Sequence, residues 1–167
     1  MAEQVKNVEK ARELLDKIPY VKDFHSDDKD TLSKICFFRE YDPEEIIIEQ
    51  ESPNQELFFL IRGTVDIKLK GKHIVSLRGG GRIFGEMSFV NHSFTSASVS
   101  AQNEVVMMVF KIPGILMLEN EKYARLKIDF YRSIAEMLAQ KLKDTTDMAG
   151  HYKARLEHKD EDLETKD

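Results

Sequence analysis

The sequence predicts an α+β chain, with helical segments on either side of a β-rich middle that closes into a barrel or a double-sheet roll. Three observations carry this. Apolar residues recur at helical spacing before Cys36 and again beyond Glu121. Between Cys36 and Ile112 the period shortens toward two. Turn-forming residues punctuate that middle at Asp42-Pro43, Ser52-Pro53-Asn54, Gly71 and Gly79-Gly80-Gly81. A length of 167 residues with 41% hydrophobic content suits one well-cored domain plus a helical extension.

The first helix is marked by Val8, Ala11, Leu15 and Ile18 set among charges, and Ile18-Pro19 should stop it. Ser26 is the expected N-cap of a second, short helix carrying Leu32 and Ile35, with Asp27 and Asp28 against its positive end. Strands follow at Cys36-Phe37-Phe38, Ile46-Ile47-Ile48 and Leu57 to Ile61. Beyond Gly63, Val65, Ile67 and Leu69 alternate with Asp66, Lys68 and Lys70, so one face is apolar. Gly71 returns the chain to Ile74-Val75-Ser76-Leu77. After the glycine cluster, Ala97, Val99 and Ala101 alternate with serines, and Val105 to Ile112 closes the β region at Pro113-Gly114. A short helical element around Ile115 to Glu119 and a long helix from about Glu121 to Asp147 come next. Residues 148–167, highly charged beyond Gly150, are expected to form a frayed helix or disordered tail.

Composition and motifs exclude several functions. The formal net charge of -5, from 25 basic and 30 acidic residues, gives no overall attraction to nucleic acid or anionic membrane. The single cysteine, Cys36, cannot form an internal disulfide and reads as a small buried residue. The opening MAEQVKNVEK lacks the apolar core of a signal peptide, and no apolar run is long enough to span a bilayer, so the expected compartment is cytoplasmic with no membrane insertion. The glycine cluster with Gly85 lacks the Lys-Ser/Thr ending of a phosphate-binding P-loop. Ser88 lacks the flanking glycines of a nucleophile elbow, and five scattered histidines make no metal-ligand cluster. Neither catalytic nor metal residues are assigned, and enzyme activity has no support in the sequence.

Several spaced elements match in order. They are Ile47-Ile48-x-x-Glu51-Ser52-x-Asn54-x-x-Leu57-Phe58-Phe59-Leu60-x-x-Gly63, then Gly81-x-x-Phe84-Gly85-Glu86-Met87-Ser88-Phe89-Val90, then Ala97-Ser98-Val99-x-Ala101. Together they resemble the cyclic nucleotide-binding domain of bacterial catabolite activator-type regulators, kinase regulatory subunits and nucleotide-gated channels. The resemblance covers roughly Leu32 to Leu142. It implies a double-stranded β-helix, a jelly-roll-like β-roll, with N-terminal helices and a long C-terminal helix. The expected organisation is a helical segment at 1–31, the roll with its C-terminal helices at 32–147, and a charged tail at 148–167.

The resemblance also implies a phosphate-binding cassette drawn from Gly85, Glu86, Met87, Ser88, Phe94, Thr95 and Ser96. The carboxylate after Phe84-Gly85 would bond a ribose hydroxyl, which places Glu86. The arginine that pairs with the cyclic phosphate falls on Thr95, and the residue before it, usually proline, is Phe94. From Phe84 to Ala101 there is no Lys or Arg at all. A charge-assisted contact of that kind contributes on the order of 1.5–3 kcal/mol, so its loss weakens binding by roughly tenfold to more than a hundredfold. Hydroxyls of Ser93, Thr95 and Ser96 bring no charge. Arg82 is the nearest candidate substitute cation, with a surface role the stronger expectation; His92 reads as a solvated loop residue. Glu51 and Asn54 stand where the family usually has small residues at a tight turn. Asn54 tolerates left-handed backbone, whereas Glu51 suggests that the turn has changed.

Three functions are compatible with this reading. The first, favoured here, is a regulatory module with a degenerate nucleotide site that acts through protein partners. The second is a genuine receptor that holds cyclic AMP or cyclic GMP, weakly, through Glu86, hydroxyls and helix N-H groups. The third is a shortened relative of a transcription regulator working with a separate DNA-binding chain, since too few residues follow the last helix for a DNA-binding domain of its own. The stripe Tyr131, Ile134, Leu138 and Leu142 is expected to serve as lid or dimer seam, and a homodimer through that helix is the expectation.

Overall fold

The computed structural model describes residues 4–91, 94–116, 118 and 121–164. The chain forms two compact units, Met1–Asp129 and Phe130–Asp167.

In the first unit, helix α1 (Val8–Leu15) is capped by Asn7, whose side chain accepts a hydrogen bond from the Lys10 amide at 2.9 Å. It ends at Leu15, and Ile18 is buried in the turn beyond it. Helix α2 (Ser26–Ile35) corrects the expected cap. Ser26 is its first helical residue, His25 holds the cap position without a side-chain bond, and the Ser26 hydroxyl instead accepts from Arg12 Nη2 at 3.3 Å. Arg12 also reaches Asp16 and Asp30, and Lys29, itself buried, reaches Asp16 at 2.7 Å, so charge pairs pin α1 to α2.

Among the described residues there are nine strands, the first of them an unforeseen two-residue strand β1 (Gln4–Val5). The others are β2 (Cys36–Tyr41), β3 (Ile46–Ile48), β4 (Glu56–Arg62), β5 (Thr64–Leu69), β6 (Lys72–Arg78), β7 (Arg82–Phe84), β8 (Ser98–Ala101) and β9 (Val105–Lys111). They make a five-stranded sheet in the order β1-β2-β9-β4-β7 and a four-stranded sheet in the order β3-β8-β5-β6, with every recorded pairing antiparallel. The α+β class with a double-sheet β-roll is thus the observed architecture.

The core between the sheets takes Phe37, Tyr41, Phe58, Leu60, Phe84, Val105, Met107 and Val109 from the first sheet. The second sheet supplies Ile48, Val65, Val99 and Ala101. On the other face of the first sheet Leu57, Phe59, Met108 and Phe110 are also fully buried, and the Phe59 and Phe110 rings meet edge to face at 5.2 Å. Strands buried on both faces cannot alternate, and this is why Leu57 to Ile61 and Val105 to Phe110 read as continuous apolar runs. In the second sheet burial fades outward: Val65 is buried, Leu69 is exposed, and edge strand β6 leaves Ile74 and Val75 exposed.

Two helical boundaries differ from expectation. Pro113-Gly114 lies inside helix α4 (Ile112–Leu116), because proline in a first turn forfeits no intrahelical bond; Glu119, the expected end of this element, lies outside the described residues. After a 3-10 turn (Glu121–Tyr123), helix α5 runs from Ala124 to Glu164. It passes through Gly150, so the expected tail is helical as far as Glu164.

Cys36 is buried at the α2–β2 junction, its thiol donating to the Ser33 carbonyl at 3.5 Å, and burial pushes its pKa up to about 12. The thiolate is the reactive form. Native protein at pH 8 is therefore expected to resist iodoacetamide and to take up one equivalent after denaturation; mass spectrometry that finds alkylation of the native fold would contradict this packing.

Candidate functional site

The candidate site is the segment that leaves β7, turns at Gly85, forms helix α3 (Glu86–Asn91) and returns to β8. Gly85 has φ +86°, and a Cβ there would stand 2.5 Å from the Glu56 carbonyl oxygen and 3.0 Å from Asn54 Nδ2. Both the left-handed backbone and the close approach require glycine. Across from it, the Asn54 side chain accepts from the Glu56 amide at 3.1 Å and donates to the Glu56 carbonyl at 2.7 Å. Asn54 therefore works through its side chain. The left-handed residue in this loop is Glu51, φ 59°, so the loop keeps left-handed geometry with a glutamate in it, at roughly 1–2 kcal/mol of backbone strain.

Thr95 is 6% exposed and is wired into that same loop. Its hydroxyl donates to the Glu49 carbonyl, lies 3.2 Å from the Ser52 carbonyl, and accepts from the Ser52 amide at 3.2 Å. Its backbone adds two more bonds, Thr95 N to Ser52 O at 3.0 Å and Glu51 N to Thr95 O at 2.9 Å. The β3–β4 loop and the end of the cassette are thus laced together at the position where the family pattern puts arginine. A hydroxyl so engaged holds protein to protein.

The remaining expected site residues separate by exposure. Glu86 and Ser88 are buried in α3, whereas Met87 and Phe94 are 44% and 66% exposed. Ser96 is exposed, its hydroxyl donating to Met87 Sδ at 3.5 Å. Arg82 pairs with Leu60 in the register that also joins Phe84 to Phe58, so it shares the core side of β7 with Phe84 and reaches solvent at the strand end. Its side chain is exposed. His92 and Ser93 lie outside the described residues. In α5 the expected stripe divides: Ile134 is 4% exposed, Leu138 is half-buried, and Tyr131 and Leu142 are 44% and 69% exposed. The buried row is Phe130, Ile134 and Met137.

An ion pair that the sequence did not reveal lies on the core face of the first sheet. Arg39 Nη1 and Nη2 donate to the two carboxylate oxygens of Glu56 at 2.8 and 2.9 Å, Nη1 also donates to the Tyr41 hydroxyl, and the guanidinium stands 5.1 Å from the Phe37 ring centroid. Burial works against the Arg39 charge, but the bonds from Glu56 and Tyr41 hold its pKa above the ordinary arginine value. Residues 17 apart on strands that are not neighbours carry no periodic signal; only the sheet order brings them together. The pair steadies the first residue of β4, whose backbone Asn54 grips and Gly85 abuts.

Thr95→Val keeps the shape but removes the hydroxyl, leaving the Glu49 carbonyl and Ser52 amide without it. Its unfolding free energy is expected to fall by about 1–3 kcal/mol, with Thr95→Ser close to wild type. An unchanged denaturation midpoint for Thr95→Val would count against the lacing. Gly85→Ala is expected to be the more damaging change, since neither backbone nor carbonyl can yield cheaply; thermal melting of the purified variant is the measurement.

Comparison with known proteins agrees with this geometry. Residues 38–118 match the family model described as the cyclic nucleotide-binding domain. A cAMP-dependent protein kinase type II regulatory subunit of Drosophila melanogaster is 31% identical over 101 residues, 59% of this chain and 27% of that protein. This chain therefore spans about a quarter of the length of that relative. A cyclic nucleotide-binding domain from Methylobacillus flagellatus shares the fold at a TM-score of 0.75 and 19% identity, covering 88% of this chain and 86% of that one. The regulatory subunit of a cAMP-independent protein kinase A from Trypanosoma brucei aligns at a TM-score of 0.63 and 20% identity, over 81% of this chain and 47% of that one. A triple mutant of that subunit, with a threonine-to-arginine exchange among its three substitutions, is bound to cAMP in its A site (TM-score 0.61, 22% identity, 81% and 53% covered). Residues 38–118, which include the Phe84-Gly85-Glu86 turn and the cassette helix, are thus similar to the cyclic nucleotide-binding domain, and the roll shares the fold of solved examples.

Proposed function

We propose that this chain is a non-catalytic regulatory module whose cyclic nucleotide-binding domain has lost its phosphate anchor and which acts through contacts with another protein. The observation that carries this reading is Thr95. Where the family pattern has a cation, the chain has a buried hydroxyl committed to the Glu49 carbonyl and the Ser52 amide. A phosphate arriving there meets neither charge nor an available donor from this side chain, and the stretch from Phe84 to Ala101 contributes no Lys or Arg. The nearby carboxylate of Glu86 adds an unfavourable charge unless a cation balances it. Two relatives support the regulatory role, being regulatory subunits of kinases, one described as cAMP-dependent and the other as cAMP-independent. Met87, Val90 and Phe94 leave 44%, 49% and 66% of their surface exposed on or beside α3, an apolar surface suited to a protein contact.

The alternative, a working receptor for cyclic AMP or cyclic GMP, is tested by thermal melting of the chain with each nucleotide at millimolar concentration. A ligand at a hundredfold excess over its Kd raises stability by about 2.7 kcal/mol. No shift is expected with either nucleotide, and a clear shift with one of them would establish the receptor reading instead. Thr95→Arg restores the missing cation at the cost of the loop bonds. It is expected to be less stable than wild type on its own and to gain stability with cyclic AMP, as befits a fold in which a threonine-to-arginine exchange is among the changes found with bound cAMP. If that variant ignores the nucleotide, the site is blocked by more than the lost charge.

A further inference from the structure

Charge is unevenly spread along this chain. Its net charge is -5, yet the stretch from Ile67 to Gly85 holds Lys68, Lys70, Lys72, Arg78 and Arg82 and not one Asp or Glu. That stretch runs from the end of β5 through β6 to the turn after β7. Among the described residues none of these five side chains takes part in an ion pair. Asp66, the carboxylate just before the stretch, is already engaged: it accepts from the Ser76 hydroxyl at 2.6 Å and stands 3.5 Å from His73 Nε2.

Strand β6 is also the outer strand of its sheet, paired with β5 on one side. Every residue of it except the half-buried Leu77 is exposed. An outer antiparallel strand leaves alternate amides and carbonyls without a ladder partner, and an incoming strand can complete them. The side chains along this edge are basic at the ends, Lys72 and Arg78, and apolar in the middle, where Ile74 and Val75 are 58% and 36% exposed. At the end of the strand Arg78 lines a cleft of about 710 Å³ together with Arg62, Gly63, Thr64, Asn103 and Glu104. The Gly79 amide donates to the Gly63 carbonyl at 3.3 Å and the Thr64 amide to Asn103 Oδ1 at 2.8 Å, so the roll itself holds the cleft in shape. Arg62 stands 4.0 Å from Glu104, with the two side chains 68% and 80% exposed, a contact of little worth that another carboxylate can replace.

Lysines and bulges on an outer strand ordinarily keep copies of a protein from pairing edge to edge, and β6 has both, its register with β5 shifting at Ile67 and Lys68. A second copy laid on this edge would set like charges opposite one another. The same charges favour a strand of opposite sign. A lipid surface or a nucleic acid would meet the charges but make no use of the open backbone groups or of Ile74 and Val75, whereas an extended peptide uses all three. We infer that the outer edge of β6 takes an extended acidic segment of a partner protein as an added strand, with a carboxylate of that segment entering the cleft lined by Arg62 and Arg78. Main-chain bonds to β6 hold the segment, and Lys72 and Arg78 select its sign. This rests on the proposed role as a module that contacts another protein, and it gives that partner's chemistry.

Fluorescence anisotropy of the full chain with a labelled peptide of alternating Glu and Val tests the inference. Binding is expected at about 50 mM salt, and the double variant Lys72→Glu, Arg78→Glu is expected to bind about tenfold more weakly or worse. Both positions are exposed, so the variant should melt close to wild type. The same peptide methylated at every backbone nitrogen keeps its charge and side chains but donates no main-chain bond, and it is expected to lose binding to a similar extent. Equal binding of the methylated peptide, or undiminished binding by the double variant, overturns strand addition. If vesicles containing phosphatidylserine or single-stranded DNA bind and the Glu-Val peptide does not, the surface serves a lipid or a nucleic acid and the proposal is wrong; it is equally wrong if none of the three binds. Hydrogen exchange with the peptide present is expected to slow at the amides of β6. Slowing confined to α3 would put the peptide on the apolar residues there and overturn the assignment to this edge. Failure of peptide binding would not touch the nucleotide prediction, which is read by melting with nucleotide.

Discussion

Strands β4 and β9 are buried on both faces, and the candidate site hangs from them. Their side chains alternate between the core of the roll and the opposite face of the five-stranded sheet, and Leu57, Phe58, Phe59 and Leu60 leave almost nothing to solvent. Burying each such side chain contributes about 1.5–3 kcal/mol, so this pair of strands cannot shift register without losing several of them at once. The register then dictates the rest. It places Glu56 where Arg39 can reach it, holds Phe84 against Phe58 with ring centroids 5.7 Å apart, and so brings Gly85 up to the Glu56 carbonyl. The cassette begins at a point determined by core packing.

Its other end is held by polar bonds. In place of the charge expected at this position, the chain has a threonine whose hydroxyl and backbone together tie the cassette to the β3–β4 loop. The two solutions differ in what they need. An arginine there would hold a phosphate, and the ligand would help to order the segment. Thr95 ties its own end of the segment to the β3–β4 loop through bonds within the protein. Met87, Val90 and Phe94 stand exposed on or beside α3.

The long helix shows the same separation of tasks. Phe130, Ile134 and Met137 are buried, while Tyr131, Leu142 and Tyr152 are exposed and Leu138 is half-buried. The sequence pattern Tyr131, Ile134, Leu138, Leu142 mixes buried and exposed positions, because apolar residues at 3.6-residue and 3.5-residue spacing overlap for two or three turns before they diverge. Only the exposure of each residue in the folded chain separates them.

By itself the sequence determined the class, the order of elements and the location of the cassette, since apolar period, turn residues and the Phe84-Gly85-Glu86 motif are local properties. It also showed that position 95 lacks a cation. It missed the cap of α2, because Ser26 is drawn to Arg12, fourteen residues away, and it left the stretch beyond Gly150 open between helix and disordered tail, where α5 continues because one glycine costs a helix only about 1 kcal/mol. It assigned the unusual turn geometry to the wrong effect: Glu51 takes the left-handed backbone, and Asn54 works through its amide. What tertiary structure alone decided is what the residues at the site do. The Arg39–Glu56 pair, the lacing by Thr95 and the division of α5 into two faces all join positions distant in sequence or depend on what covers them, and no local pattern records either.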